Sequence, residues 1–190
     1  MRVCIYCGSS PGDDARFVAA ARECGTAFAR ARIGIVYGGG RVGLMGAVAD
    51  AALEAGGEVV GVIPRFLEER EVAHRGVDLR VVGSMHERKA LMAELAHAFV
   101  ALPGGFGTFE EFLEIVTWVQ LGLTEARCIL ANVEGYYDHL IALIDGAHRA
   151  GFISARNRSI IEAAPSICAV VARVRGPAPA RAEEAGKVSA

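Results

Sequence analysis

The chain has 190 residues, a formal net charge of −2 and a mean hydropathy of +0.34. That length is sufficient for one domain with a sizeable core. The small net charge excludes general binding to nucleic acid or to an anionic membrane surface, so any basic site must be local. No apolar run is long enough to span a bilayer, and the N-terminus begins with a strand pattern instead of a signal peptide. We therefore expect a cytoplasmic protein.

Five cysteines are scattered through apolar surroundings, and an odd number fits a reducing compartment. Cys4 and Cys7 have the spacing of a redox or metal motif, but on a strand their side chains point to opposite faces. No second pair of cysteines or histidines completes a zinc site. We therefore predict that the cysteines pack in the core and that the protein binds no metal ion.

Apolar runs alternate with helical patterns along the chain. In the first half, the patterns predict strands at 3–6, 33–37, 59–63 and 79–82, a charged loop at 65–75, and helices from Asp13 or Asp14 to Ala31, at 44–55 and at 85–96. In the second half, they predict strands at 99–102, 128–132 and 167–174, helices at 108–123 and 136–150, and a short helical or irregular piece at 152–164. Ser84 and Glu87 form a capping-box pattern at the start of the helix 85–96.

Strands made of continuous apolar residues, alternating with helices, indicate a parallel sheet that is covered on both faces. The predicted fold is α/β, a doubly wound parallel sheet of about seven strands with helices on both faces. We expect residues 1–175 to form a single domain and residues 176–190, which lack an apolar pattern, to form a flexible tail. In such a fold the ligand binds at the carboxyl ends of the strands.

Three turns rich in glycine follow predicted strands and are therefore expected at one edge of the sheet. They are Gly8-Ser9-Ser10, Gly38–Gly43 and Gly104–Thr108. Each turn supplies backbone N–H donors, and the last one opens a helix, where free N–H groups bind anions. Their convergence on one crevice predicts a site for a phosphorylated ribose.

The turn Gly38–Gly43 also satisfies the GxGxxG pattern of dinucleotide-binding proteins. It follows the second strand and not the first, and Ile63-Pro64-Arg65 stands where an acidic residue is expected after the next strand. Arg65 could suit a 2′-phosphate, so NADP stays a minor option, and the glycines could instead serve tight packing of strand against helix. We favour contact with a nucleotide that carries no nicotinamide.

Two cations, Arg88 and Lys89, lie near the N-terminus of the helix 85–96, where the helix dipole disfavours positive charge. A solvated helix face is the usual explanation of such residues. Residues that break a local rule tend to be functional, however, and we favour a role for this pair in the site.

Two adjacent acids, Glu110 and Glu111, occupy the start of the helix predicted from Thr108. Helical spacing places Glu111 on the same face as Thr108, whereas Glu110 points aside. Close to a helix N-terminus a carboxylate is expected to be ionised. Glu111 would then stabilise an oxocarbenium-like ribose or orient a water molecule, and would not donate a proton.

Four motifs follow one another in the sequence: Cys7–Ser10 (CGSS), Tyr37–Gly46 (YGGGRVGLMG), Ser84–Lys89 (SMHERK) and Pro103–Glu111 (PGGFGTFEE). Together they resemble the LONELY GUY family of cytokinin-activating phosphoribohydrolases, whose members are often labelled lysine decarboxylase-like. The resemblance runs from about Arg2 to Val171.

This resemblance implies a Rossmann-like homodimer that hydrolyses the N-glycosidic bond of AMP or of its N6-prenylated (cytokinin) relatives, without a metal or an organic cofactor. It also implies that Arg88 and Glu111 are the catalytic pair. In that family the site lies near a subunit interface. The candidate interface helix bears Glu114, Thr117, Trp118 and Leu121.

The expected substrate contacts combine these motifs. We assign the phosphate to Gly105, Gly107 and Thr108, and we place the purine near Gly8, Ser9 and Met85. The full set of expected substrate-binding residues is Gly8, Ser9, Gly39, Gly40, Met85, Lys89, Gly104, Gly105, Gly107 and Thr108.

Two other functions fit parts of the pattern. A lysine decarboxylase needs a lysine that forms a Schiff base with pyridoxal phosphate, and the chain offers only Lys89 and Lys187, the second in the predicted tail. We reject that activity. A non-catalytic nucleotide-binding protein or a molybdenum-cofactor carrier would share the sheet and the glycine turns, but it has less reason to keep both Arg88 and Glu111.

Overall fold

The computed structural model describes residues 1–68 and 70–177. Seven parallel strands form one sheet in the order β4-β3-β2-β1-β5-β6-β7, which confirms the predicted doubly wound α/β fold. The order reverses between β1 and β5, and ligands of such sheets bind at this switch point. The strands are β1 Arg2–Tyr6, β2 Gly34–Tyr37, β3 Val59–Pro64, β4 Asp78–Val82, β5 Ala98–Ala101, β6 Arg127–Ala131 and β7 Ile161–Ala164.

Helices cover both faces of the sheet and bury its apolar strands. Helices α1, α2 and α7 pack on one face, and α3, α4 and α5 pack on the other. The helices are α1 Ala15–Arg30, α2 Gly43–Glu54, α3 Met85–Leu95, α4 Phe106–Gln120, α5 Asp138–Arg149, α6 Ala155–Arg158 and α7 Ile167–Arg175, with short 3-10 helices at Arg65–Leu67 and Val133–Gly135.

The start of α3 is fixed by the residues that the sequence pattern indicated. The Ser84 side chain accepts a hydrogen bond from the Glu87 N–H, as an N-cap does. The Glu87 carboxylate accepts from the N–H of Gly83, one residue earlier than in a standard capping box. This double cap sets where the first turn of α3 begins, and with it the position of Arg88.

The prediction for the C-terminal region was wrong in two places. Residues 167–174 form helix α7 and not a strand, and strand β7 lies at Ile161–Ala164, inside the piece predicted to be helical or irregular. Ser166 caps α7 by accepting from the Ala169 N–H, and Ile167, Val170 and Val174 recur at helical spacing on its buried face. A short apolar run is compatible with either a strand or a helix. The Ser166 cap is what favours the helix.

Most of the predicted tail, residues 178–190, lies outside the described residues. The two tail residues that are described are tied to the sheet, because the Arg127 guanidinium donates to the carbonyl oxygens of Gly176 at 3.2 Å and Pro177 at 2.7 Å. Within residues 1–68 and 70–177, no helix is both long and apolar enough to cross a membrane.

Candidate active site

A cavity of about 290 Å³ opens at the switch point, between the turn after β1 and the start of α4. Its lining combines apolar side chains, backbone groups and charged side chains. The lining residues are Ile5, Tyr6, Cys7, Gly8, Ser9, Gly38, Met45, Leu67, Glu71, Met85, Arg88, Gly105, Phe106, Gly107, Thr108, Glu110 and Glu111.

Arg88 is the central charge of this cavity, and only 6% of its side chain is exposed. Its Nη2 donates to the carbonyl oxygen of Gly38 at 3.0 Å. The guanidinium lies between two carboxylates, 3.6 Å from Glu71 Oε2 and 4.0 Å from Glu111 Oε1. Gly38 is required here, since a Cβ at that position would overlap Nη2 of Arg88. Among the described residues, Arg88 Nε has no hydrogen-bond partner.

Glu111 is more deeply buried and less readily ionised than the sequence suggested. Helix α4 begins at Phe106, two residues earlier than predicted, so Glu111 lies in its second turn, where the helix dipole is weak. Burial raises the pKa of Glu111 to about 7, and Arg88 only partly opposes this effect. The expectation of a fully ionised carboxylate was therefore wrong, because desolvation outweighs the helix terminus and the neighbouring cation.

Sequence reasoning missed Glu71, the second carboxylate beside Arg88. It lies in the segment between β3 and β4, which the sequence indicated only as a charged loop. The pKa of Glu71 lies above its usual value, because burial raises it more than Arg88 lowers it. Its Oε2 has no hydrogen-bond partner in the described part of the chain. No periodicity separates Glu71 from the neighbouring Glu68, so a single sequence carries no signal for it.

The start of α4 provides backbone donors to the cavity. By helix geometry the N–H groups of Phe106, Gly107 and Thr108 have no acceptor within the helix, and the first such bond runs from the Phe109 N–H to Gly105. Space is open around Gly105 and Gly107, as judged from the described residues. Anion sites at helix N-termini are built from free N–H groups of this kind.

The structure brings most of the predicted residues to the cavity but leaves out four of them. Gly39 adopts a left-handed φ of 79° behind the cavity, and Gly40 packs against Met45 and the Glu71 backbone. Gly104 makes room for the Thr108 hydroxyl and faces an adjacent cavity.

Lys89, the fourth of these residues, points away from Arg88. Its Nζ binds Glu110 at 2.6 Å and Glu114 at 3.0 Å, which joins α3 to α4 outside the cavity. Glu110 reaches the cavity rim but is held by this bond. Within residues 1–68 and 70–177, no group of three or more His, Cys, Asp or Glu side chains is arranged to hold a metal ion.

The fold and the site together define a class, a Rossmann-like α/β protein whose switch point combines an open helix N-terminus with a buried arginine and two carboxylates. The family described as "Possible lysine decarboxylase" matches residues 45–174. A cytokinin riboside 5′-monophosphate phosphoribohydrolase of Arabidopsis thaliana is 45% identical over 189 residues, which cover 99% of this chain and 89% of the relative. The enzyme of that name from Rhodococcoides fascians is 48% identical over 177 residues, 92% of this chain and 89% of the relative. The chain belongs to this family of phosphoribohydrolases, as the motifs indicated.

Among solved structures, the molybdenum cofactor carrier protein of Chlamydomonas reinhardtii matches with a TM-score of 0.66. The match covers 92% of this chain and 95% of that chain, at 19% identity. At that identity the likeness shows a common fold and carries no information about ligand or activity.

Proposed function

We propose that the protein is an N-glycosyl hydrolase that cleaves nucleoside 5′-monophosphates, AMP or cytokinin riboside 5′-monophosphates, into the free base and ribose 5-phosphate. The observation that carries the proposal is Arg88, buried between Glu71 and Glu111 beside an open helix N-terminus. The names of the relatives at 45% and 48% identity support the same reaction.

The phosphate binds at the start of α4. Gly105 and Gly107 leave room for phosphate oxygens to approach the backbone, and the free N–H groups of the first turn donate to them. A dianion held here is not repelled strongly by Glu111, because the Arg88 guanidinium lies 4.0 Å from that carboxylate and offsets its negative charge.

The ribose lies between Arg88 and the two carboxylates. Glu71 Oε2 and Arg88 Nε are buried polar atoms that lack a partner among the described residues, and such atoms are costly unless a ligand or water satisfies them. A ribose hydroxyl both donates and accepts, so it meets the needs of both groups. Glu71 accepts from the hydroxyl, and Arg88 donates to it.

Glu111 acts at the anomeric carbon. Cleavage of the C1′–N9 bond builds positive charge on the ribose, and a carboxylate beside C1′ stabilises that charge and orients the attacking water. The hydroxyl of the water ends on C1′ and its proton ends on the departing base. Arg88 fixes the position of Glu111 relative to the ribose. Because Glu111 must stabilise positive charge, the reaction needs its ionised form.

The base rests against the apolar lining of the cavity, near the turn at Gly8 and Ser9. Met45, Met85 and Leu67 are the apolar side chains available there, and the two methionines provide flexible, polarisable contacts.

Decarboxylation of an amino acid does not fit the same residues. A Schiff-base lysine must lose its proton, whereas Lys89 is held by two carboxylates outside the cavity. Burial lowers the pKa of Lys89, but its hydrogen bonds to Glu110 and Glu114 outweigh burial and the net shift is upward. The family description therefore misnames the activity that we propose. A carrier function rests on the shared fold alone.

The functional unit in this proposal is a homodimer. Leu113 and Thr117 on α4 and Leu121 at its C-cap follow one another at intervals of four residues, and 66% of Leu121 is exposed. This stripe begins three residues after Glu110, which reaches the rim of the cavity. A second copy packed on the stripe would bury it and lie beside the site.

The deciding experiment incubates the protein with AMP and, separately, with isopentenyladenosine 5′-monophosphate, and measures the released base by chromatography. Base and ribose 5-phosphate are expected in equal amounts, and the Glu111→Gln variant should bind nucleotide but release no base. Release of no base from either substrate at micromolar enzyme would contradict the proposal. Intact nucleotide that co-purifies with the wild-type protein would instead favour a binding protein.

A further inference from the structure

The segment between β3 and β4, which carries Glu71 into the cavity, makes two backbone hydrogen bonds of its own, from Glu71 to Leu67 and from Ala73 to Glu68, and is tied to the turn after β2 by others. The Arg41 N–H donates to the carbonyl oxygens of Glu71 at 3.1 Å and Val72 at 2.9 Å, and the His74 N–H donates to Gly39 at 2.9 Å. Gly40 and Ala73 form an isolated antiparallel bridge. The position of the Glu71 carboxylate thus depends on hydrogen bonds between two loop segments, and Glu71 belongs to no helix or strand.

This placement is strained. Val72, directly after Glu71, has a φ of 48°, a left-handed conformation that a β-branched side chain disfavours. Strain of this kind persists only where the surroundings impose it, and it is common next to functional groups. Something must therefore hold the segment in the strained form.

His74 provides a second hold, through its side chain. The residue is 4% exposed, and both ring nitrogens are engaged. Nδ1 accepts from the Gly76 N–H at 3.1 Å, so Nε2 carries the ring hydrogen and donates to Asp50 Oδ1 on α2 at 3.0 Å. Gly76 is needed for this fit, because a Cβ there would lie 3.0 Å from His74 Cε1.

We propose that His74 and Asp50 are a positioning pair that keeps the Glu71 carboxylate in the cavity against the strain at Val72, and thereby set the affinity for the ribose. The effect on ribose affinity rests on the function proposed above. The positioning of Glu71 by His74 and Asp50 does not depend on that function. His74 does not line the cavity and touches no substrate. It acts through Glu71, by tying the segment to a helix that is buried in the core.

The test is a double-mutant cycle between His74→Ala and Glu71→Ala, with steady-state kinetics on AMP. Each single change should raise KM about tenfold and change kcat by less than about threefold, because the lost contact is made to the bound substrate as well as to the transition state. Combined, the two changes should cost no more than one of them. Additive effects would overturn the proposal.

Variants at Asp50 guard against misfolding of the histidine variant. Asp50→Asn keeps an oxygen that accepts from His74 and should retain the wild-type KM, whereas Asp50→Leu should match His74→Ala. A matched control is His148→Ala. His148 is a half-buried histidine on α5, on the other face of the sheet from α2, and its ring is hydrogen-bonded to the Ile153 carbonyl oxygen. This variant should leave KM unchanged.

Two readouts without turnover separate this inference from the proposed function. Amide exchange at Arg41 should be faster in ligand-free His74→Ala than in the wild type, since the acceptors of that amide move with Glu71. AMP binding, measured by calorimetry in the Glu111→Gln background so that no base is released, should weaken about tenfold when His74→Ala is added. If the wild type releases no base, the proposed hydrolysis is wrong. The exchange rate at Arg41 still tests whether His74 and Asp50 position Glu71. Unchanged exchange at Arg41 would overturn the positioning role.

Discussion

Replacing Gly38 with alanine would test the geometry of the site without altering any of its charges. Gly38 has no left-handed φ, so alanine can adopt its backbone conformation. The added Cβ would overlap Nη2 of Arg88 and would lie 3.0 Å from Met45 Sδ. Met45 can move aside because its side chain is flexible, but the guanidinium is confined between two carboxylates and must leave the Gly38 carbonyl.

The expected loss follows from that hydrogen bond. A bond from a charged donor contributes about 1.5–3 kcal/mol, and each 1.4 kcal/mol corresponds to about a tenfold change. If the bond fixes Arg88 in the transition state, Gly38→Ala should lower kcat/KM by about 10- to 100-fold. Alanine also restricts the unfolded chain, which offsets part of any loss of stability by ~0.4–1 kcal/mol.

The assay is release of base from AMP, with thermal unfolding followed in parallel. Gly146→Ala on α5 is the matched control, because no described atom comes closer than 3.8 Å to a Cβ at that position. It should leave kcat/KM unchanged and stabilise the helix by ~0.5–1 kcal/mol. Wild-type kcat/KM in a folded Gly38→Ala protein would refute the assignment of Arg88 as the group that organises the site.

Three further predictions concern Glu111 and the interface. Because the pKa of Glu111 is raised to about 7 and its ionised form is the active one, kcat/KM should rise with pH through about 7 and then level off. This rise should be absent in Glu111→Gln. A fall in activity above pH 7 would show that the acid form acts instead. The same shift has a consequence for stability. The folded state favours the neutral carboxyl, so its contribution to stability is lost as pH rises from 4.5 to about 7. At about 1.4 kcal/mol for each pKa unit, Glu111→Gln should be more stable than the wild type by ~3 kcal/mol at pH 8 and no more stable at pH 4, as measured by urea unfolding; equal stability at both pH values would contradict the burial argument. Finally, Leu121→Glu should convert the dimer into a monomer in light scattering, whereas Leu143→Glu, a change at a similarly exposed leucine on α5, should not; a wild-type monomer would remove the proposed interface.

Local patterns in the sequence were sufficient for most of the fold and for half of the site. Alternating apolar runs and helical patterns predict the parallel sheet, and the order of the turns places the ligand at its carboxyl edge. Arg88 and Glu111 could be singled out because each belongs to a recognisable motif that spans a helix start. That the two side chains meet is decided by the structure, because β4 and β5, the strands before the two helices, are separated in the sheet by β3, β2 and β1.

The sequence failed where short-range pattern and long-range contact disagree. Residues 167–174 form an apolar run that reads equally as strand or helix, and the Ser166 cap and the packing of α7 on the sheet decide between them. Lys89 adjoins Arg88 in sequence, yet successive helical residues point about 100° apart. Glu110 and Glu114 therefore hold Lys89 outside the cavity.

The sequence by itself determined the doubly wound sheet, the glycine turns at its carboxyl edge and, through the family motifs, the choice of Arg88 and Glu111. Only the tertiary structure decided that Arg88 lies between Glu71 and Glu111, that Gly38 makes room for Arg88, and that burial raises the pKa of Glu111 to about 7. Burial is the physical reason in each case. It depends on which distant segments close over a side chain, and no local period in the sequence records that.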